Sequence, residues 1–230
     1  MNWIYTLTNF LIGSCLASHA AVICDRWETS DFIFSRSHCN NCYTELNLLD
    51  ELPIISYFWL HGKCRYCHNL IPTKLPIIEI IGGLAFSSLN FSSIEDLFTA
   101  IIIFSILLAA ICDYEQHEFY LIMLLPAIIL ALTKSPDLLH FQLLDDLEFL
   151  PLLLILTYYV YRQKLGSGDL LIYLILALYF SPHFANTVFL LGAIFSLGYF
   201  VNQGKKRLAS KPIAFVPCLF LGLTIQLLFK

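Results

Sequence analysis

Apolar positions fall in eight runs separated by short polar breaks: approximately Trp3 to Cys24, Leu75 to Phe91, Leu97 to Cys112, Phe119 to Leu132, Phe149 to Tyr161, Leu170 to Phe180, Phe184 to Val201 and Pro212 to Phe229. A helix needs roughly 20 residues to cross a bilayer core, and several of the runs are shorter than that. The pattern predicts an all-α polytopic membrane protein of about eight transmembrane helices, with a polar insert between the first two. Merging two of the weaker runs gives a seven-helix alternative that places the C-terminus on the other side. The first run can also be read as a cleaved signal peptide, and Ile12-Gly13-Ser14-Cys15 loosely resembles a lipoprotein cleavage site. No basic residue precedes the run, however, as a signal peptide requires.

Composition agrees with a membrane protein: 58% of the 230 residues are hydrophobic and 13% charged, against about 25% charged in an ordinary soluble domain. The mean hydropathy is +0.74. A net charge of -4 says little here, because the placement of Lys and Arg, rather than their sum, orients a membrane chain. In the eight-helix arrangement one side receives Arg26, Arg36, Lys63, Arg65, Lys74, Arg162, Lys164, Lys205, Lys206, Arg207 and Lys211, and the other only Lys134 and Lys230. By the positive-inside rule the rich side is cytoplasmic and the N-terminus lies outside. No basic stripe suggests nucleic-acid binding.

The insert, residues 25–75, holds Cys39-Asn40-Asn41-Cys42 and Cys64-Arg65-Tyr66-Cys67, half of the eight cysteines. Two thiolates from one tight turn can take two corners of a tetrahedron and a second turn the other two, so Cys39, Cys42, Cys64 and Cys67 are candidate ligands of a structural zinc ion. Four sulfur ligands leave no open position for catalysis. Two disulfides or a redox pair are the competing readings; a cytoplasmic location keeps thiols reduced, and a redox motif is usually a single pair. His38, His61 and His68 flank the cysteines as substitutes or as solvated surface residues. Cys15, Cys24, Cys112 and Cys218 lie in or beside apolar runs, where cysteine acts as a small hydrophobe.

Two acids stand at the ends of apolar runs on the cytoplasmic side. Asp113 closes the third run, and Asp169 follows Gly166-Ser167-Gly168 and opens the sixth, where the positive end of a helix dipole favours its anion. Paired carboxylates titrate together: the ionised member takes a proton from water while the protonated one polarises a carbonyl. The bland alternative is interfacial charges or salt bridges. Glu115 and Glu118 lie close to Asp113, and residue chemistry alone does not choose among the three.

Ser37-His38-Cys39-Asn40-Asn41-Cys42, Leu52-Pro53-Ile54-Ile55-Ser56-Tyr57, Gly62-Lys63-Cys64-Arg65-Tyr66-Cys67 and Pro76-Ile77-Ile78-Glu79 follow one another in an order that resembles the cytoplasmic insert of bacterial type IV prepilin peptidases. Gly13-Ser14, Gly166-Ser167-Gly168-Asp169 and Pro217 with Gly222 resemble the same family. The resemblance covers nearly the whole chain. It implies an aspartic endopeptidase of the bacterial cytoplasmic membrane that removes the basic leader of prepilin-like or pseudopilin precursors, with Asp113 and Asp169 as its catalytic pair. Many members of the family also methylate the new N-terminus with S-adenosylmethionine, an activity associated with the insert, which makes Gly62 and Lys63 candidate contributors. The alternative for that pair is that it merely shapes the zinc turn. The chain departs from the family after Asp113, where Tyr120-Leu121 stands in place of the usual Pro-Asp. Its short insert and modest size resemble the competence-type enzymes of Gram-positive bacteria.

The implied organisation is a first transmembrane helix over 1–24, the four-cysteine insert over 25–75, and a transmembrane peptidase domain over 76–230. Other functional classes stay open: a transporter or channel whose acids bind a cation or relay protons, or a scaffold of a pilus or secretion machine. An intramembrane protease of the presenilin type shares Gly-x-Gly-Asp but lacks the paired-cysteine insert.

Overall fold

The computed structural model describes residues 3–27, 36–89, 91, 93–134, 143–203 and 214–229. Lys205, Lys206, Arg207, Lys211, Pro212 and Lys230, used above for orientation and for the last apolar run, lie outside the described residues. Among the described residues the fold is all-helical: α1 (Trp3–Asp25), α2 (Ile55–Trp59), α3 (Lys74–Ser87), α4 (Ile94–Gln116), α5 (Leu125–Lys134), α6 (Leu143–Tyr161), α7 (Ser167–Tyr179), α8 (Pro182–Gln203) and α9 (Val216–Leu228), with a 3-10 turn at Leu121–Met123. Apart from the short α2, these are eight helices, one for each apolar run. The segments Trp3–Asp25, Ile94–Gln116 and Pro182–Asn202 are long and apolar enough to cross a membrane. The 13 residues of α7 or α9 extend only about 20 Å at 1.5 Å per residue, short of a hydrocarbon core of about 30 Å.

The chain divides into two compact units, residues 1–90 and 91–230. In the first, α1 packs along α3 on a seam of small residues that lets the two backbones come close. A Cβ at Gly13 would stand 2.7 Å from the Gly82 carbonyl oxygen, and Ala17, Ala20 and Ala21 are buried beside it. The Asn9 amide donates to the Leu89 carbonyl at 2.5 Å and so closes the end of the helix pair.

In the second unit, Ser93 caps α4 by accepting from the Asp96 amide at 3.1 Å, with Glu95 and Asp96 in the first turn, where acids complement the helix dipole. Ile102, Ile103, Ile106, Ala109 and Ala110 bury its inner face against α5 and α9. Helices α8 and α9 meet closely at Gly192 and Gly222; a Cβ at Gly222 would lie 2.7 Å from the Val188 carbonyl oxygen. Along the outside of α8, Leu190, Ile194, Leu197 and Val201 are exposed at helical spacing, an apolar stripe suited to lipid rather than water.

Candidate functional site

The insert is built from two knuckles of the same backbone design. In the first, the Cys39 amide donates to the Thr44 carbonyl and the Tyr43 amide to the Cys39 carbonyl; in the second, Cys64 donates to Asn69 and His68 to Cys64. Isolated bridges close each knuckle, His38 with Glu45 and Lys63 with Leu70. The residue after each second cysteine takes a left-handed conformation, Tyr43 at φ 55° and His68 at φ 56°. That bend turns the chain back, so both sulfurs of a pair face inward.

All four candidate zinc ligands are brought together. The sulfurs of Cys39, Cys42, Cys64 and Cys67 lie within 4.8 Å of one another, and those of Cys39 and Cys67 are 3.8 Å apart. Four thiolates about 2.3 Å from a central zinc ion stand roughly 3.8 Å from each other, so the donor set and its spacing fit zinc. The environment also favours thiolates at two positions. Hydrogen bonds from Thr44, side chain and backbone, bring the Cys42 thiol down to about 6, and the Asn69 backbone with the Asn41 side chain lowers Cys67. Burial pushes Cys64 the other way. Such an ion would tie the knuckles together through bonds that no hydrophobic core of this small insert supplies.

Around the cysteines, Arg65 holds Asp50 with Nη2 2.6 Å from Oδ1 and Nε 3.1 Å from Oδ2, pinning the 48–50 turn to the second knuckle. Gly62, with φ 69°, lies under the Tyr57 ring; a Cβ there would be 3.0 Å from the Tyr57 hydroxyl oxygen. Lys63 is exposed at the adjacent bridge position. His38 is engaged with Arg26, Nδ1 to Nη2 at 3.1 Å, and stacks on Tyr43; neither His38, His61 nor His68 joins the sulfur cluster.

One buried acid in this unit carried no role in the sequence reading. The Glu79 carboxylate on α3 accepts the Ile54 amide at 2.7 Å and the Ser18 hydroxyl of α1. Ile54 caps α2 with φ 63°, a conformation a β-branched residue adopts only under constraint. The only signal in the sequence was a carboxylate placed among apolar residues, Pro76-Ile77-Ile78-Glu79.

In the second unit Asp113 sits one turn before the end of α4, which stops at His117 in the left-handed conformation. It is half-buried, and its Oδ2 accepts the Val216 amide at 3.1 Å. The first turn of α9 therefore fixes this carboxylate. Asp169 lies in the first turn of α7 and is only 6% exposed. Gly166 is the N-cap, and its amide hydrogen-bonds back to the Asp169 carboxylate, as the third helical residue does in a capping box. The two carboxylates interact electrostatically across the 56 residues of chain from 113 to 169. Glu115 and Glu118 are exposed, so the burial of the site singles out Asp113 among the three neighbouring acids. Where Tyr120-Leu121 replaces Pro-Asp, the chain still turns tightly: Met123 donates to the Tyr120 carbonyl and Leu124 to that of Leu121, each at 3.0 Å. Tyr120 has φ -85°, near the angle that proline enforces.

A helical chain with spans of membrane length, a four-sulfur cluster and two acids at helix ends has counterparts among known proteins. Residues 11–92 match the Bacterial Peptidase A24 N-terminal domain. The chain is 29% identical over 199 residues to the type 4 prepilin-like proteins leader peptide-processing enzyme of Escherichia coli O78:H11, covering 81% of this chain and 73% of that one. It is 26% identical to the prepilin leader peptidase/N-methyltransferase of Myxococcus xanthus, over 70% of this chain and 51% of that one. A shorter match to the Pectobacterium carotovorum enzyme of the same name is 36% identical over 50 residues, which is 22% of this chain and 18% of that one. No solved structure matches. Together these findings make the chain similar to the type IV prepilin peptidases, through the family model over residues 11–92 and through relatives 29% and 26% identical over most of its length.

Proposed function

We propose that this chain is an aspartic endopeptidase that cleaves the leader of prepilin-like or pseudopilin precursors at the cytoplasmic face of a bacterial inner membrane, with Asp113 and Asp169 as the catalytic pair. The observation that carries this reading is that the two acids stand at the ends of α4 and α7, on segments brought into contact at Phe119 and Gly168. One ionised member takes a proton from the attacking water. The other, protonated, donates to the scissile carbonyl. Two carboxylates that share a site keep one proton between them, which supplies both forms at once. The distribution of Lys and Arg supports a cytoplasmic location for this end of the helices, the side on which a basic leader stays during insertion.

In this reading the insert is a zinc-held module at residues 25–75, and residues 76–230 form the peptidase region. The same chain N-methylates the new N-terminus using S-adenosylmethionine, with Gly62 and Lys63 as contributors. Support comes from the names of its relatives and from the exposure of Lys63 beside the second knuckle. Co-expression with a prepilin settles the assignment. Wild type should remove the leader and leave a mature chain heavier by one methyl group. Asp169→Asn should leave the precursor uncut, and an inserted wild-type protein that cuts no prepilin or pseudopilin would reject the peptidase.

A further inference from the structure

The segment that follows Asp113 and the turn that precedes Asp169 meet at one point. A Cβ built on Gly168 would overlap the tip of the Phe119 ring, with Cζ the nearest atom and Cε1 at 2.9 Å. Phe119 is half-buried and lies between the α4 C-cap, His117, and the 3-10 turn that begins at Leu121. Gly168 has a negative φ, so no left-handed backbone requires glycine there. What requires it is the ring. Gly166 is different: a Cβ there would meet only the Asp169 Oδ2, at an ordinary 3.5 Å.

We propose that Phe119 is a positioning residue that seats on Gly168 and sets the spacing of Asp113 and Asp169, the glycine serving as its socket. This rests on the acid-pair reading above. The contact lies six residues beyond one acid and one residue before the other, so it locks the two carboxylate-bearing segments together. Neither α4 nor α7 makes an extensive packing interface with the other; at the ends far from the acids the Tyr179 hydroxyl of α7 donates to the Glu95 carbonyl of α4 and lies 3.0 Å from the Thr99 hydroxyl. The ring contact is therefore the link at the carboxylate-bearing ends of the two helices, opposite the Tyr179 bonds. A methyl group at 168 would push the ring tip off its seat, and truncating the ring would remove the seat's occupant. Either change loosens the same joint, and a misplacement of about 1 Å in a reacting pair costs on the order of 100-fold in rate.

The test is a double-mutant cycle on cleavage of a purified prepilin in reconstituted membranes. Gly168→Ala and Phe119→Ala should each lower kcat roughly 10- to 100-fold with KM little changed. Because both act on one contact, the double variant should be no slower than the slower single. Phe119→Leu, whose shorter side chain leaves room for the methyl, should recover activity in the Gly168→Ala background. Multiplicative losses, a fall in abundance that accounts for the lost rate, or full activity in Phe119→Ala would overturn the proposal. A second readout needs no substrate: in a background with Cys112 and Cys218 replaced by alanine, Phe119→Cys with Gly168→Cys should join through a short bis-thiosulfonate cross-linker. Failure to cross-link removes the contact. Cross-linking by a wild-type scaffold that cuts no prepilin would leave the contact standing and remove the peptidase reading alone.

Discussion

The sulfur cluster and the acid pair are assembled in opposite ways. Each half of the cluster comes from four consecutive residues, and its geometry is set by hydrogen bonds that reach no further than a few residues. The acid pair is gathered from two helices, and one member is held by the amide of Val216, 103 residues away. Local spacing therefore dictates the first site almost by itself. The second exists only when α4, α7 and α9 have found their places. Damage to one should be separable from damage to the other.

The sharpest break is at the acids. Asp113→Asn or Asp169→Asn should each lower leader cleavage by roughly three orders of magnitude or more, since members of a catalytic unit fail together. The sulfur cluster should keep its zinc in both variants, as read by metal analysis of the purified protein. Cys64→Ser is the mirror image: zinc content should fall toward zero and the insert should become susceptible to protease, because structural zinc contributes to folding directly, at about 10 kcal/mol or more in small modules. Residues 91–230 should stay protected. If zinc loss alone exposed that unit to protease, the separation of the two sites would be wrong.

A smaller effect is expected at the α8/α9 contact. Gly222→Ala places a methyl group against the Val188 carbonyl and should lower stability by about 1–3 kcal/mol, measured by thermal unfolding in detergent. Cleavage should suffer more than zinc binding, because α9 carries the amide that holds Asp113. The least effect should come from Arg65→Ala. Its guanidinium is 46% exposed, although its partner Asp50 carboxylate is 2% exposed. The expected outcome is a small loss of zinc affinity with no change in cleavage, and an equal loss of both would argue that the insert and the acids are coupled after all.

This contrast also explains what was legible in the sequence. Eight apolar runs gave eight helices because burial of apolar side chains leaves a recurrent pattern in one dimension. The cysteine spacing announced a tetrahedral sulfur set because the relevant geometry is confined to two turns. Asp169 stood out beside its glycines, but the reason for Gly168 did not, since it depends on a ring that arrives from position 119. The roles of Glu79 and Val216 stayed hidden for the same reason. Each is defined by a partner that only folding brings near, the Ile54 amide in one case and the Asp113 carboxylate in the other. Among the described residues, three helices are long and apolar enough to cross a membrane, where eight runs were expected to cross.

The two knuckles repeat the same frame position for position, from the bridges at His38 and Lys63 to the left-handed bends at Tyr43 and His68. Their fingertips differ: Asn40-Asn41 in one and Arg65-Tyr66 in the other. The frame is thus a cassette whose backbone hydrogen bonds do not depend on which side chains the tips carry. One tip reaches across to the other knuckle, Asn41 to the Cys67 sulfur, and the other back to the linking chain, Arg65 to Asp50, so a module that is symmetric in its scaffold is unequal in what its tips hold. Swapping the dipeptides would keep the backbone frame but take away the Asn41 bond to the Cys67 sulfur and the Arg65 grip on Asp50.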